Sequence, residues 1–310
     1  MEFKHISVLY KETLDGLNIK DGGLYVDGTL GGGGHSCGIL SGAKNVRLIG
    51  IDRDSEAIEA AGKRLSAFKD RITLVNRNFS DIKQIASELG IAGIDGAVLD
   101  LGVSSYQLDN AERGFSYMHD SHLDMRMNRN DKKSAYEVIN SYSQNELEHI
   151  FYAYGEEKWS ARVAKFIVEK RSQKPIETTF ELVDIIKAAI PKGARAEGSH
   201  PAKRIFQAVR IEVNNELGIL KNAVDDFAEL LAPGGRLAVI TFHSLEDKII
   251  KKAFTDLATG CVCPKSFPVC VCNRQPVVKL ITKKPILPSE AEETENSRSK
   301  SAKLRVVEKL

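Results

Sequence analysis

Three carboxylates, each ending a short apolar run, are the residues of this 310-residue chain best placed to do chemistry. Asp27 closes the run at 24–26 and is followed by G-T-L-G-G-G-G-H-S, with Gly31 to Gly34 in succession and then His35. Glycine takes positive φ and lets another molecule approach the backbone, so strand, glycine turn and helix in series predict a ligand loop. The dinucleotide fingerprint G-x-G-x-x-G does not fit: counted from Gly31 or Gly32, its third glycine falls on Ser36 or Cys37. An acid ending the strand, with small residues at Thr29, Gly31 and Gly33, suits an ammonium or sulfonium ligand, because a carboxylate there repels a pyrophosphate. The ligand of that description is S-adenosylmethionine (SAM).

Asp52 ends the run R-L-I-G-I-D and lies about twenty residues beyond the glycines, where such folds hold ribose hydroxyls. Asp54 suits the alternative role of capping a helix over 55–65. A third run at 72–75 leads into N-R-N-F, where Asn78 and Phe79 could contact an adenine; for Phe79 the alternative is core packing. Asp100 ends a fourth run at 97–99 and opens L-G-V-S-S-Y-Q-L-D. Alternating strands and helices bring Asp27, Asp52 and Asp100 to one edge of an α/β sheet.

The alternation then breaks. The next strand expected is 236–242, after the turn A-P-G-G, and Asp100 and Leu237 stand 137 residues apart. A crossover needs only a few tens, so residues 109–205 are read as an insertion. Ser134/Glu137, Ser143/Glu146 and Thr178/Glu181 have capping-box spacing. Leu147, Ile150, Phe151 and Tyr154 recur at helical intervals, as do Phe180, Val183, Ile186 and Ile190. From Ala202 a long helical pattern runs toward Leu231 and returns the chain to the sheet. The domains expected are therefore 1–108 with 206–310, and an inserted helical domain, 109–205. Residues 282–303 read as a loop or partly disordered arm, and the terminal L-R-V-V-E-K-L as an edge strand.

Composition is that of an ordinary globular protein, 42% hydrophobic and 28% charged, with net charge +2. No apolar run is long enough for a membrane span or a signal peptide, so a cytoplasmic protein with no membrane partner is expected. Four of the five cysteines fall within C-V-C-P-K-S-F-P-V-C-V-C, which is not the distribution of a secreted disulfide framework.

The stretches D-G-T-L-G-G-G-G-H-S, L-D-L-G-V-S-S-Y-Q-L-D, R-G-F-S-Y…L-D-M-R-M, R-I-F-Q-A-V-R-I-E-V-N-N-E-L and G-G-R-L-A-V-I-T-F-H-S-L-E-D resemble the bacterial small-subunit rRNA methyltransferase H (MraW) family. The resemblance covers nearly the whole chain. It implies a class I SAM-dependent methyltransferase fold (Rossmann-like, mostly parallel sheet) carrying an inserted helical domain. The implied activity is methylation of the exocyclic N4 of a cytidine in the decoding region of 16S rRNA, within the small ribosomal subunit. Carried over by position, the family's cofactor contacts fall on Gly33, Gly34, His35, Asp52, Phe79, Asp100 and Gln107. The resemblance leaves a homodimer open.

Cytosine N4 is a poor nucleophile because its lone pair is delocalised into the ring. An acceptor beside it sharpens it and takes its proton late, which makes Asp100 the catalytic candidate. The hydroxyls of Ser104 and Ser105 are candidates beside it, and a purely structural contact to the cofactor is the other reading of Asp100. His243 and Ser244 could form the other wall, and Phe115, Tyr117 or Trp159 could stack on a displaced base. Cations of the insertion, among them Lys132, Lys133, Lys158, Arg162, Lys165, Lys170, Arg171, Lys174, Lys192, Arg195, Lys203 and Arg204, are either a solvated face or a phosphate-contacting one. Cys261, Cys263, Cys270 and Cys272 could hold zinc, but their pairs are C-x-C rather than C-x-x-C, and no metal ligand is assigned. A NAD-dependent oxidoreductase and an RNA-binding assembly factor without turnover are the competing readings.

Overall fold

The structure, a computed structural model, describes residues 7–194, 200–264, 269 and 271–310. The chain divides into two compact units, Met1–Gly102 with Leu217–Leu310, and Val103–Glu216.

The first unit is built on a seven-stranded sheet of order β3-β2-β1-β4-β5-β7-β6. Its strands are β1 (Leu24–Asp27), β2 (Arg47–Asp52), β3 (Ile72–Asn76), β4 (Ile94–Asp100), β5 (Leu231–Thr241), β6 (Val278–Leu280) and β7 (Lys303–Lys309). The first five are parallel, and β7 runs antiparallel between β5 and β6. This is the class I methyltransferase sheet. Its parallel strands read as unbroken apolar runs because both faces are covered. Val26, Ile49, Leu99 and Val239 pack into one core layer, and Tyr25, Leu48, Val98 and Ile240 into the other. The strand order reverses between β1 and β4, where open α/β sheets bind ligands beyond the strand ends.

The terminal strand is not at the edge: β7 is paired on both sides, and the three-residue β6 forms the rim. The expected arm also carries structure. It contains a helix, Glu290–Glu295, and the Oε1 of Glu292 accepts from the Leu9 N–H at 2.7 Å. The turn A-P-G-G lies inside β5, where the pairing with β4 shifts between Ile94 and Gly96.

The second unit is helical, with Ala135–Ser141, Gln144–Ala153, Ser160–Arg171, Thr179–Ala189 and Lys203–Asn214 around one core. All three capping boxes form. Arg113 is fully buried and donates to the carbonyls of Arg126 (2.9 Å) and Met127 (3.0 Å). The boundary expected at 205/206 falls instead after Glu216. Ile205, Phe206, Ala208, Val209 and Val213 pack in this unit's core, so the helix read as leading back to the sheet belongs to the insertion. It ends at Asn215, whose φ of 48° is left-handed, and a separate helix, Leu220–Leu230, continues to β5. Among the described residues no helix is long and apolar enough to cross a membrane.

Candidate active site

Strand register explains why the three acids meet. Asp27 pairs with Gly50 of β2 and Val98 of β4, so Asp52 and Asp100, two residues further on, stand just past the end of β1 on either side. The glycine loop fills the space between them. Gly33, at φ 73°, is the N-cap of helix Gly34–Gly42, a left-handed position that disfavours a side chain. Asp27 is buried, accepting from the Ser36 hydroxyl at 2.7 Å and the Thr29 N–H at 3.2 Å, so it braces the loop from beneath. Asp52 accepts from the Gly31 N–H at 2.8 Å and the Asp54 N–H at 2.9 Å. Asp54 caps its helix through the Glu56 N–H, as its position suggested.

His35, in the first turn of the loop helix, is buried, with its ring 6.0 Å from that of Tyr10 and Nε2 3.8 Å from Asp100 Oδ2. Asp100 is fixed by its backbone N–H, which donates to Thr29 Oγ1 at 2.6 Å. Its buried Oδ1 has no hydrogen-bond partner among the described residues. Phe79 opens a short 3-10 helix capped by Asn78, and its Cβ would lie 3.1 Å from any Cβ added at Gly28. Phe79 also packs on one core layer, so both of its expected roles involve the same half-buried ring.

The electrostatics are those of an anionic cluster. Burial pushes Asp100 up to about 8, with the charges of Asp27 and Glu246 adding to it. Burial also raises Asp27 and Asp52 to about 6 each, against their hydrogen bonds. An unpartnered carboxylate oxygen amid acids held above their ordinary range is a site that favours a cation. These residues therefore fit a cofactor carrying sulfonium and ammonium charge, and they oppose a dinucleotide pyrophosphate.

That pattern has relatives. A family described as "MraW methylase family" matches residues 2–310. The chain belongs to that family. A ribosomal RNA small subunit methyltransferase H from Clostridium botulinum (strain Loch Maree / Type A3) is 58% identical over the whole of both chains. One from Clostridioides difficile (strain 630) is 55% identical, again over the whole of both. As in the reading above, the MraW-family chain is a SAM-dependent methyltransferase.

Gly33, Gly34, His35, Asp52, Phe79 and Asp100 all belong to the first unit, at the ends of its strands or in the turns that follow them. Gln107 belongs to the second unit, where it is buried and its side chain accepts from the Ser104 N–H at 3.1 Å. Ser104 is the cap of that short helix, accepting from the Gln107 N–H. His243 is likewise a cap, Nδ1 accepting from the Glu246 N–H at 3.4 Å. Among the aromatics expected to stack on a base, Phe115 is a core residue and Trp159 packs against the same core, because large rings contribute most when buried there. Tyr117 stacks on His200 with ring centres 4.6 Å apart.

Glu246 escapes a reading by spacing. It is buried, accepts from the Phe242 N–H at 2.8 Å and raises Asp100 through its charge. Its only trace in sequence is the capping-box interval from His243, which predicts a helix start and not a buried charge.

Proposed function

We propose that this chain transfers a methyl group from SAM to the exocyclic N4 of a cytidine in the decoding region of 16S rRNA, acting on the small ribosomal subunit in the cytoplasm. The observation that carries this reading is full-length similarity to relatives named ribosomal RNA small subunit methyltransferase H.

SAM supplies an electrophilic methyl group on a cationic sulfur. The glycine loop at Gly33 and Gly34 would let the cofactor lie against backbone, and the adjoining His35 would help to hold it. Asp52 keeps lone pairs beyond its two backbone bonds and takes the ribose hydroxyls. Phe79 covers the adenine. Asp100 has the catalytic role. With no cation beside it the carboxyl holds a proton at neutral pH, as its rise to about 8 implies. A cation held beside it would favour the ionised form, whose oxygen could then accept from the N4 amino group. Asp100 would take the proton that N4 gives up when it is methylated. Substrate phosphates are met by the insertion. Lys132, Lys158, Lys170, Lys192 and Lys203 are exposed, with no acidic partner among the described residues, whereas Lys133 and Lys174 are paired with Glu212 and Glu181. Arg195 lies outside the described residues.

Two measurements test this. Loss of one N4-methylated cytidine from 16S rRNA is expected in a deletion strain, and an unchanged methylation map overturns the substrate assignment. In single-turnover methylation of small-subunit particles at saturating SAM, Asp100→Asn is expected to slow methylation by about tenfold or more, roughly 1.4 kcal/mol of transition-state stabilisation. Equal rates remove Asp100 from the chemistry.

A further inference from the structure

None of the site residues named above lies in the cysteine-rich loop. It follows the helix Ser244–Ala258 and precedes β6, and its base is closed by the Val277 N–H donating to the Leu257 carbonyl at 2.8 Å. Between those ends no described residue belongs to a helix or strand. A segment without ladder or helix bonds among its described residues gains from a cross-link to hold one conformation.

Among its described residues the valines do not provide one. Val262, Val269 and Val271 are 55%, 70% and 68% exposed. Leaving a valine in water forgoes about 1.5 kcal/mol or more of burial each. The thiols do the opposite and gather: the sulfurs of Cys261, Cys263 and Cys272 all lie within 4.8 Å of one another. The C-x-C interval accounts for both facts. In an extended segment residues i and i+2 share one face, so exposed Cys261 and half-buried Cys263 lie on one side and Val262 on the other. The Val271 N–H donates to Cys263 Sγ at 3.4 Å, which holds that side chain in place. Cys270 lies outside the described residues.

We propose that Cys261, Cys263 and Cys272 are ligands of a structural zinc ion that fixes this loop. Tetrahedral zinc with Zn–S distances of about 2.3 Å places its sulfurs ~3.8 Å apart, so the cluster needs to contract by no more than about 1 Å. Each ligating thiol gives its proton to solvent, so the three thiolates and the dication together carry a net charge of −1. The site is remote in role from Asp100: the ion organises a loop and takes no part in methyl transfer.

The full chain, produced in zinc-supplied medium and purified under reducing conditions without chelator, is expected to hold about one zinc per chain by elemental analysis. Cys37→Ser, which alters the cysteine of the helix Gly34–Gly42, should keep it. Cys263→Ser should lose it roughly tenfold or more. Because a variant can lose metal by misfolding, wild-type protein reloaded with cobalt(II) supplies a second measurement. Intense tetrahedral d–d bands with thiolate-to-cobalt charge transfer are expected. Metal-free protein that takes up neither ion, equal zinc loss in Cys37→Ser, or a native disulfide among these cysteines would each overturn the proposal.

Discussion

Proton release on cofactor binding isolates the part played by Asp100. Its carboxyl is raised to about 8, so at pH 7 it holds about 0.9 of a proton. A sulfonium or ammonium bound within a few ångströms favours the ionised form and returns the group toward its ordinary range near 4, which expels that fraction. Asp27 and Asp52, at about 6, hold only about 0.1 each at pH 7 and add little. Binding of SAM at pH 7 is therefore expected to release about one proton from the wild-type protein and about 0.2 from Asp100→Asn. Calorimetric titration in buffers of different ionisation enthalpy reads the number directly. Affinity should rise about tenfold per pH unit below pH 7, about fivefold from pH 7 to 8, and level off above that, while the variant stays nearly flat above pH 7. The sign for stability follows from the same shift. A carboxyl whose folded value lies above its unfolded value adds stability below about pH 4 and loses it progressively toward pH 8. Ligand-free wild type should thus lose stability relative to Asp100→Asn as pH rises from 6 to 8. No proton release by the wild type, or equal release by both proteins, refutes the reasoning.

Asp52→Ala should weaken SAM binding by about 1.5–3 kcal/mol, one to two decades in affinity, through lost charge-assisted bonds to ribose. Unchanged affinity in a folded variant places the ribose carboxylate elsewhere. In the insertion, the buried Asn214 accepts from the Met127 N–H (2.8 Å) and donates to the carbonyls of Met125 (2.7 Å) and Arg210 (2.9 Å). Asn214→Ala strands those groups and should cost about 2–3 kcal/mol. Denaturant unfolding followed by fluorescence of Trp159, the only tryptophan, checks it, and an unmoved midpoint contradicts it.

The sheet was legible because each parallel strand leaves an apolar run ended by an acid or a turn, and Asp27, Asp52 and Asp100 each carry that trace locally. What escaped was tertiary. The helix Lys203–Asn214 shows one apolar face, but nothing in its spacing says which core covers it. Its stop is written only as the pair Asn214–Asn215, whose second asparagine tolerates the left-handed turn. The interior position of β7 depends on a three-residue partner, V-K-L, too short to register as a strand. The capping boxes at Ser134, Ser143 and Thr178 were readable because capping is decided within four residues. The burial of Glu246 beside the acid of another strand is decided by sheet order, as is the unpartnered Oδ1 of Asp100.

Product binding carries the electrostatic argument one step further. S-adenosylhomocysteine keeps the amino-acid end and the nucleoside of SAM but has a neutral thioether in place of the sulfonium. Any difference between the two in linked protons therefore reports the charge on sulfur. If the sulfonium is what ionises Asp100, the product should bind at pH 7 with about 0.9 fewer protons released. Its affinity should then change little between pH 6 and 8, while that of SAM climbs. Such a pair of curves has a mechanistic meaning. Asp100 would enter the reaction ionised beside the cation and leave it protonated beside a neutral sulfur, holding the proton taken from N4, so no charge is stranded among Asp27, Asp52 and Glu246. The measurement is calorimetry of both ligands over one pH series in paired buffers. Equal release by both would assign the shift to the ammonium end of the cofactor. That result would move Asp100 away from the methyl group and so away from N4.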